Sequence, residues 1–127
     1  MNNIIVYISG KYSGDTETNI AVAKELAEQV WGAGYPCLCP HTNTANFKGS
    51  YDKFLEGDLK LLQKCDCLLM LPNWEMSKGA CIEHDFAKNL GVPIFYSLKE
   101  LQTYYELKTI EELLAKLIRL TKLVFMK

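Results

Sequence analysis

"DCLLMLPNWEMSKGACIEHDFAKNLGVPIFYS" (residues 66–97) carries the pattern that decides the architecture. Residues 66–72 are a continuous apolar run of the kind found in strands covered on both faces. "NWEMSKG" (73–79) is a turn-rich loop, and "ACIEHDFAKNLG" (80–91) has helical spacing stopped by Gly91. "VPIFYS" (92–97) returns to a β-branched and aromatic strand. A strand, a helix and a strand in direct succession are the signature of parallel pairing, because parallel strands need a crossover between them.

The flanking sequence repeats the alternation. "NIIVYIS" (3–9), closed by Gly10, reads as a buried first strand. The segment 13–34 spaces Ile20, Ala23, Leu26, Ala27, Val30 and Trp31 as a helix, ended by Gly32 and Gly34. "YPCLCP" (35–40) is a short strand, residues 41–50 a polar loop, and residues 51–65 a helix with Phe54, Leu55, Leu59, Leu61 and Leu62 apolar. "TIEELLAKLIRLTKLVF" (109–125) reads as a closing helix. The expectation is one α/β domain over 1–127, a flavodoxin-like or Rossmann-like three-layer sandwich with a mainly parallel sheet. In such sheets ligands sit beyond the carboxyl ends of the strands, where strand order switches. That directs attention to the loops "GKYSGD", "HTNTANFKGS" and "NWEMSKG".

Composition narrows the function classes. Hydrophobic residues are 49% and charged residues 23% of 127, with a formal net charge of −1. A globular protein with no basic field is implied, which argues against a nucleic acid polymer or an anionic membrane as partner. The opening "MNNIIVYISGKYSG" has no basic n-region and too short an apolar run for a signal peptide or a spanning helix, so a cytoplasmic location is expected. The five cysteines fall as "CLC" (37–39), "CDC" (65–67) and Cys81. C-x-C places both thiols on one strand face as small core residues, whereas zinc sites favour C-x2-C. Reduced core thiols and no metal are expected.

Several residues admit two readings on pattern alone. Gly10, Lys11, Ser13 and Gly14 follow a strand and precede a helix, so the turn either presents amides to an anion or is simply tight. It is neither a Walker A nor a G-x-G-x-x-G sequence. Ser77 and Gly79 stand where a helix begins, so Ser77 either caps that helix or helps to hold an anion. Glu83 shares a helical face with Ala80, Phe86 and Ala87, and is either a solvated acid or a carboxylate held in a pocket. Asp58 lies near the apolar stripe of its helix, and Asp66 reads as a helix-end or turn residue. His84 points about 100° away from Glu83 on a helix, so the two do not form a dyad.

Taken together, "VYISGKYSG", "EGDLKLLQKCDCLLMLPNW" and "SKGACIEHDFAKNLGVPIFY" resemble the nucleoside 2-deoxyribosyltransferase superfamily. Within it the chain is similar to a small uncharacterised bacterial and phage branch and to the 2′-deoxynucleoside 5′-phosphate N-hydrolases. The resemblance covers residues 4–97. It implies that Glu83 attacks C1′ of a deoxyribose, that Asp58 protonates the departing base, and that Tyr7 lies beside the nucleophile. Serine rather than aspartate at position 77 implies a 5′-monophosphate, with Gly79 and the loop Gly10, Lys11 and Ser13 completing the phosphate site. Lys11 replaces a small residue of the hydrolases and is a candidate for the phosphate charge.

The expected reaction is therefore N-glycosidic cleavage of a 2′-deoxynucleoside 5′-monophosphate through a covalent glycosyl-Glu83 intermediate, without metal or organic cofactor. Deoxyribosyl transfer between bases, or nucleotide binding without turnover, are the alternatives. Asn73, Trp74 and His41 are loop candidates to contact the base. Trp31, Tyr104, Tyr105 and the apolar C-terminal helix suggest a homo-oligomer, and the resemblance implies that a partner subunit completes each pocket.

Overall fold

A computed structural model describes residues 1–126. The chain divides into two compact units, residues 1–97 and residues from 98 onward, where the sequence reads as one domain over 1–127.

The first unit holds four strands: β1 (Val6–Ser9), β2 (Cys37–Leu38), β3 (Cys67–Met70) and β4 (Ile94–Phe95). Its helices are α1 (Thr16–Gly32), the short α2 (Pro40–Asn43), α3 (Tyr51–Leu62) and α4 (Lys78–Leu90), with a 3-10 turn at Trp74–Met76. All strand pairs are parallel, in the order β2-β1-β3-β4. Val6 lies opposite both Cys37 and Cys67, and Leu68 opposite Ile94. Every residue of β1 and β3 is buried, as the unbroken apolar runs require of strands covered on both faces.

From β1 the chain moves one way to β2, then crosses back over β1 to β3 and continues to β4. Right-handed crossovers therefore put α1 on one face and α3 with α4 on the other, giving three layers, and α3 packs on α4. The connections part between β1 and β3, so the ligand crevice is expected beyond Ser9 and Met70. Tyr7, Leu62, Leu68, Met70, Ala80 and Ala87 form the core between the sheet and these two helices.

Local chemistry sets the element ends. Asp15 caps α1, its carboxylate accepting from the Thr18 amide and, at 2.9 Å, from the Thr18 hydroxyl. Ser77 caps α4 by accepting from the Ala80 amide at 3.2 Å, and Gly91 closes it in the left-handed region at φ +73°. Asp66 does more than end a helix: it accepts from the Ile5 amide at 2.7 Å and so ties the start of β1 to β3. At the end of β1 a Cβ on Gly10 would stand 2.5 Å from Leu71 Cδ1, so the chain passes there only as glycine.

Some boundaries differ from the sequence reading. The loop expected over 41–50 begins inside α2, which Pro40 starts because proline is preorganised for the first helical turn. Among the described residues the second unit holds one helix, α5 (Leu98–Phe125), beginning well before the expected residue 109. Residues 98–108 contain neither glycine nor proline and are mostly good helix formers, so nothing interrupts the helix.

Candidate active site

Glu83 lies just over one turn inside α4, on the side that meets β1, and is 7% exposed. Alternate residues of β1 face it, because strand side chains repeat every second position. The Tyr7 hydroxyl donates to Glu83 Oε2, and the Ser9 hydroxyl donates to Oε1 at 2.9 Å. Each carboxylate oxygen thus has its own donor, which holds the group in one orientation and favours the ionised form.

Burial works the other way. It pushes the Glu83 carboxyl up to about 7, against the two hydroxyl donors and with a smaller push from the Asp58 charge. Burial also raises Asp58, to about 6. The Tyr7 phenol is raised by burial first and then by the Glu83 charge beside it, so it stays a donor.

Glu83 opens onto a cavity of about 370 Å³, within the ordinary size of small-ligand sites. Asp58 of α3 lines the same cavity. So do Gly10, Ser13 and His41 of the first two loops and Ser77 and Gly79 at the start of α4. Ser77 both caps α4 and faces the cavity, so its two sequence readings are compatible. The His41 ring donates from Nε2 to the Lys11 carbonyl at 2.9 Å, and burial holds its pKa below the ordinary value. Its Nδ1 is buried without a partner.

Three expected contacts lie elsewhere. Lys11 does not line the cavity; Lys78 does, and it is the cation at the α4 end. Asn73 and Trp74 are also absent from the wall. Asn73 adopts a left-handed turn at φ 63°, and Trp74 stacks on His84 with centroids 4.3 Å apart. His84 in turn meets the Tyr96 hydroxyl at 3.0 Å through Nε2, outside the cavity and away from Glu83. The loop that carries Trp74 turns away because the 3-10 turn folds it back against α4.

What the sequence reading missed is an aromatic rim. Tyr12, Phe47, Tyr51 and Phe54 line the cavity, and Phe47 and Tyr51 are 64% and 57% exposed. Such faces suit a flat heterocycle. The signal was present in "NFKGSYDKF" (46–54), where three aromatics crowd a polar, turn-rich stretch. Ser9 was also missed, although its i+2 relation to Tyr7 places both on one strand face.

Among the described residues no three His, Cys, Asp or Glu side chains gather as a metal centre needs. No disulfide joins the cysteines, and burial raises the Cys37 and Cys65 thiols to about 11, which suits inert packing. No helix among them is long and apolar enough to cross a membrane.

Residues 4–96 match the family described as "Domain of unknown function (DUF4406)", and the chain belongs to that family. No curated protein matches it in sequence. Among solved structures it is similar to the 2-deoxyribosyltransferase of the psychrotolerant bacterium Bacillus psychrosaccharolyticus, with a TM-score of 0.52 at 16% identity over 71% of this chain and 69% of that one. It is also similar to the 2-desoxiribosyltransferase from Leishmania mexicana, with a TM-score of 0.55 at 20% identity over 72% of this chain and 61% of that one. At these identities the likeness establishes a shared fold.

Proposed function

We propose that the protein cleaves the N-glycosidic bond of a 2′-deoxynucleoside 5′-monophosphate. The observation that carries this reading is the buried Glu83 carboxylate, held by Tyr7 and Ser9 at the wall of a cavity that also contains Asp58. An exposed acid would have neither the fixed orientation nor the raised pKa.

In the first step a Glu83 oxygen bonds to C1′ of the sugar. The C1′–N bond breaks, its electron pair leaves with the base, and Asp58 supplies the proton that neutralises the base. In the second step water bonds to C1′, Asp58 takes a proton from it, and the C1′–Oε bond breaks to restore the Glu83 carboxylate. Ionised Glu83 also stabilises the oxocarbenium-like charge that develops between the two states. Substrate covering the cavity displaces water from Asp58, which favours its protonated form as the first step needs.

The 5′-phosphate is assigned to the start of α4. The first-turn amides of a helix lack intrahelical acceptors and carry the positive end of its dipole. Ser77, Lys78 and Gly79 bring a hydroxyl, a cation and a close backbone to the same cavity edge. The Tyr12, Phe47 and Tyr51 rim takes the place of Asn73 and Trp74 as the surface for the base, with His41 beside it.

The names of the two solved neighbours favour a second reading, in which the sugar passes from Glu83 to another base instead of to water. One experiment separates the readings. The protein is incubated with a panel of deoxynucleoside 5′-monophosphates and free deoxynucleosides, with and without an acceptor base, and products are resolved by chromatography. Free base from monophosphates without acceptor supports hydrolysis. Faster consumption of unphosphorylated nucleoside with acceptor supports transfer. Nucleotide bound but unconverted identifies a binding module, and no binding of either class overturns the site.

A further inference from the structure

Helix α5 lies beyond the family-matched residues 4–96 and carries a feature the reaction does not use. Leu107, Ile110, Leu114, Leu117, Thr121 and Val124 recur at alternating steps of three and four, the spacing of a coiled-coil seam. The five apolar members are each 52–66% exposed. Leu113 and Leu120, both 59% exposed, widen the stripe on one flank. An apolar strip this long and continuous exceeds what an isolated soluble chain ordinarily leaves in water. The one polar member of the seam is already satisfied, since the Thr121 hydroxyl donates to the Leu117 carbonyl at 2.9 Å and leaves its methyl for packing.

The charges indicate what covers the strip. The first part of the stretch is net acidic, with Glu106, Glu111 and Glu112 against Lys108; the later part carries Lys116, Arg119 and Lys122 and no acid. A parallel copy would set acid beside acid and base beside base. An antiparallel copy sets acid beside base, and the seam then closes on itself: Leu107 meets Val124, Ile110 meets Thr121, and Leu114 meets Leu117, each layer occurring twice by two-fold symmetry. In that register Glu111 flanks the seam opposite Lys122 of the second copy.

We propose that α5 is a self-association surface on which a second copy of this chain docks antiparallel, centred between Leu114 and Leu117. This pairing is independent of the reaction proposed above. Like any helix pair that buries the seam and its flanks, it removes the stripe from water, and the charge gradient selects the orientation.

The test uses the full chain in sedimentation equilibrium across a micromolar range. Wild type forms a dimer that dissociates on dilution. Glu111→Lys alone, and Lys122→Glu alone, each place like charges at both flanks and weaken dimerisation roughly tenfold. The combined Glu111→Lys/Lys122→Glu chain restores opposite signs and regains wild-type association. Leu117→Lys places a charge in two central layers and gives a monomer with unchanged circular dichroism. A wild-type monomer at the highest concentration overturns the proposal, as does a combined charge swap that fails to restore what the single reversals lose. Association that neither single reversal alters, or binding to anionic vesicles without self-association, overturns it as well.

Discussion

Replacing Glu83 with glutamine tests the burial of the carboxylate and its role separately. The folded chain holds the Glu83 proton to about 7, against 4.5 for the free side chain. The folded state therefore binds a proton more tightly than the unfolded chain does. The stability this group contributes is full below about 4.5 and is lost as pH rises through about 7. That gap corresponds to about 3 kcal/mol. Glutamine keeps the shape and does not titrate. The melting temperature of Glu83→Gln minus that of wild type should therefore grow between pH 4.5 and pH 8, by up to about 10 °C for a chain of this size. Asp58 titrates in both proteins and largely cancels in the difference. Melting curves at half-unit pH steps read the effect, and a difference that stays flat across this range refutes the burial argument. The same variant should release base at least ~10³-fold more slowly than wild type, since the covalent step loses its nucleophile. A variant with near-normal turnover refutes the mechanism while leaving the burial argument intact.

With Asp58 near 6 and Glu83 near 7, kcat/KM for base release should follow a bell centred between those values, and Asp58→Asn should remove its alkaline limb; a flat profile from pH 5 to 8 contradicts the paired roles. Ser77→Asp keeps a good helix cap but sets an anion at the proposed phosphate site, so 5′-monophosphate binding by calorimetry should weaken at least tenfold while the melting temperature holds; unchanged affinity removes the phosphate from this end of α4. Gly10→Ala drives a methyl to 2.5 Å from Leu71 Cδ1 and 2.6 Å from its Cβ, and should lower stability by about 1–3 kcal/mol in urea titration; a neutral result shows that β1 and β3 can part at that point.

The class of the fold was legible because its signals are local. Continuous apolar runs at 3–9 and 66–72, alternating with helical spacings closed by glycine, leave a parallel α/β sheet as the economical arrangement, and the structure has one. The same local pattern, through the topological rule that places ligands beyond the strand ends, directed attention to the loops that line the candidate cavity.

Whether Glu83 faced water or a pocket could not be read along α4, because the answer lies in β1. Its two donors, Tyr7 and Ser9, are 76 and 74 residues away in sequence and arrive only when α4 packs on that strand. Trp74 and Lys11 looked suited to a ligand by residue type, but the turn after β3 stacks Trp74 on His84, and it is Lys78 that reaches the cavity wall. Periodicity states which side chains share a face of one element; what covers that face, and so which charges are dry and which aromatics line a cavity, is set by segments distant in the chain. The sequence alone therefore determined the α/β class and the parallel pairing of the strands, while tertiary packing alone decided that one acid among many became a buried, doubly hydrogen-bonded carboxylate.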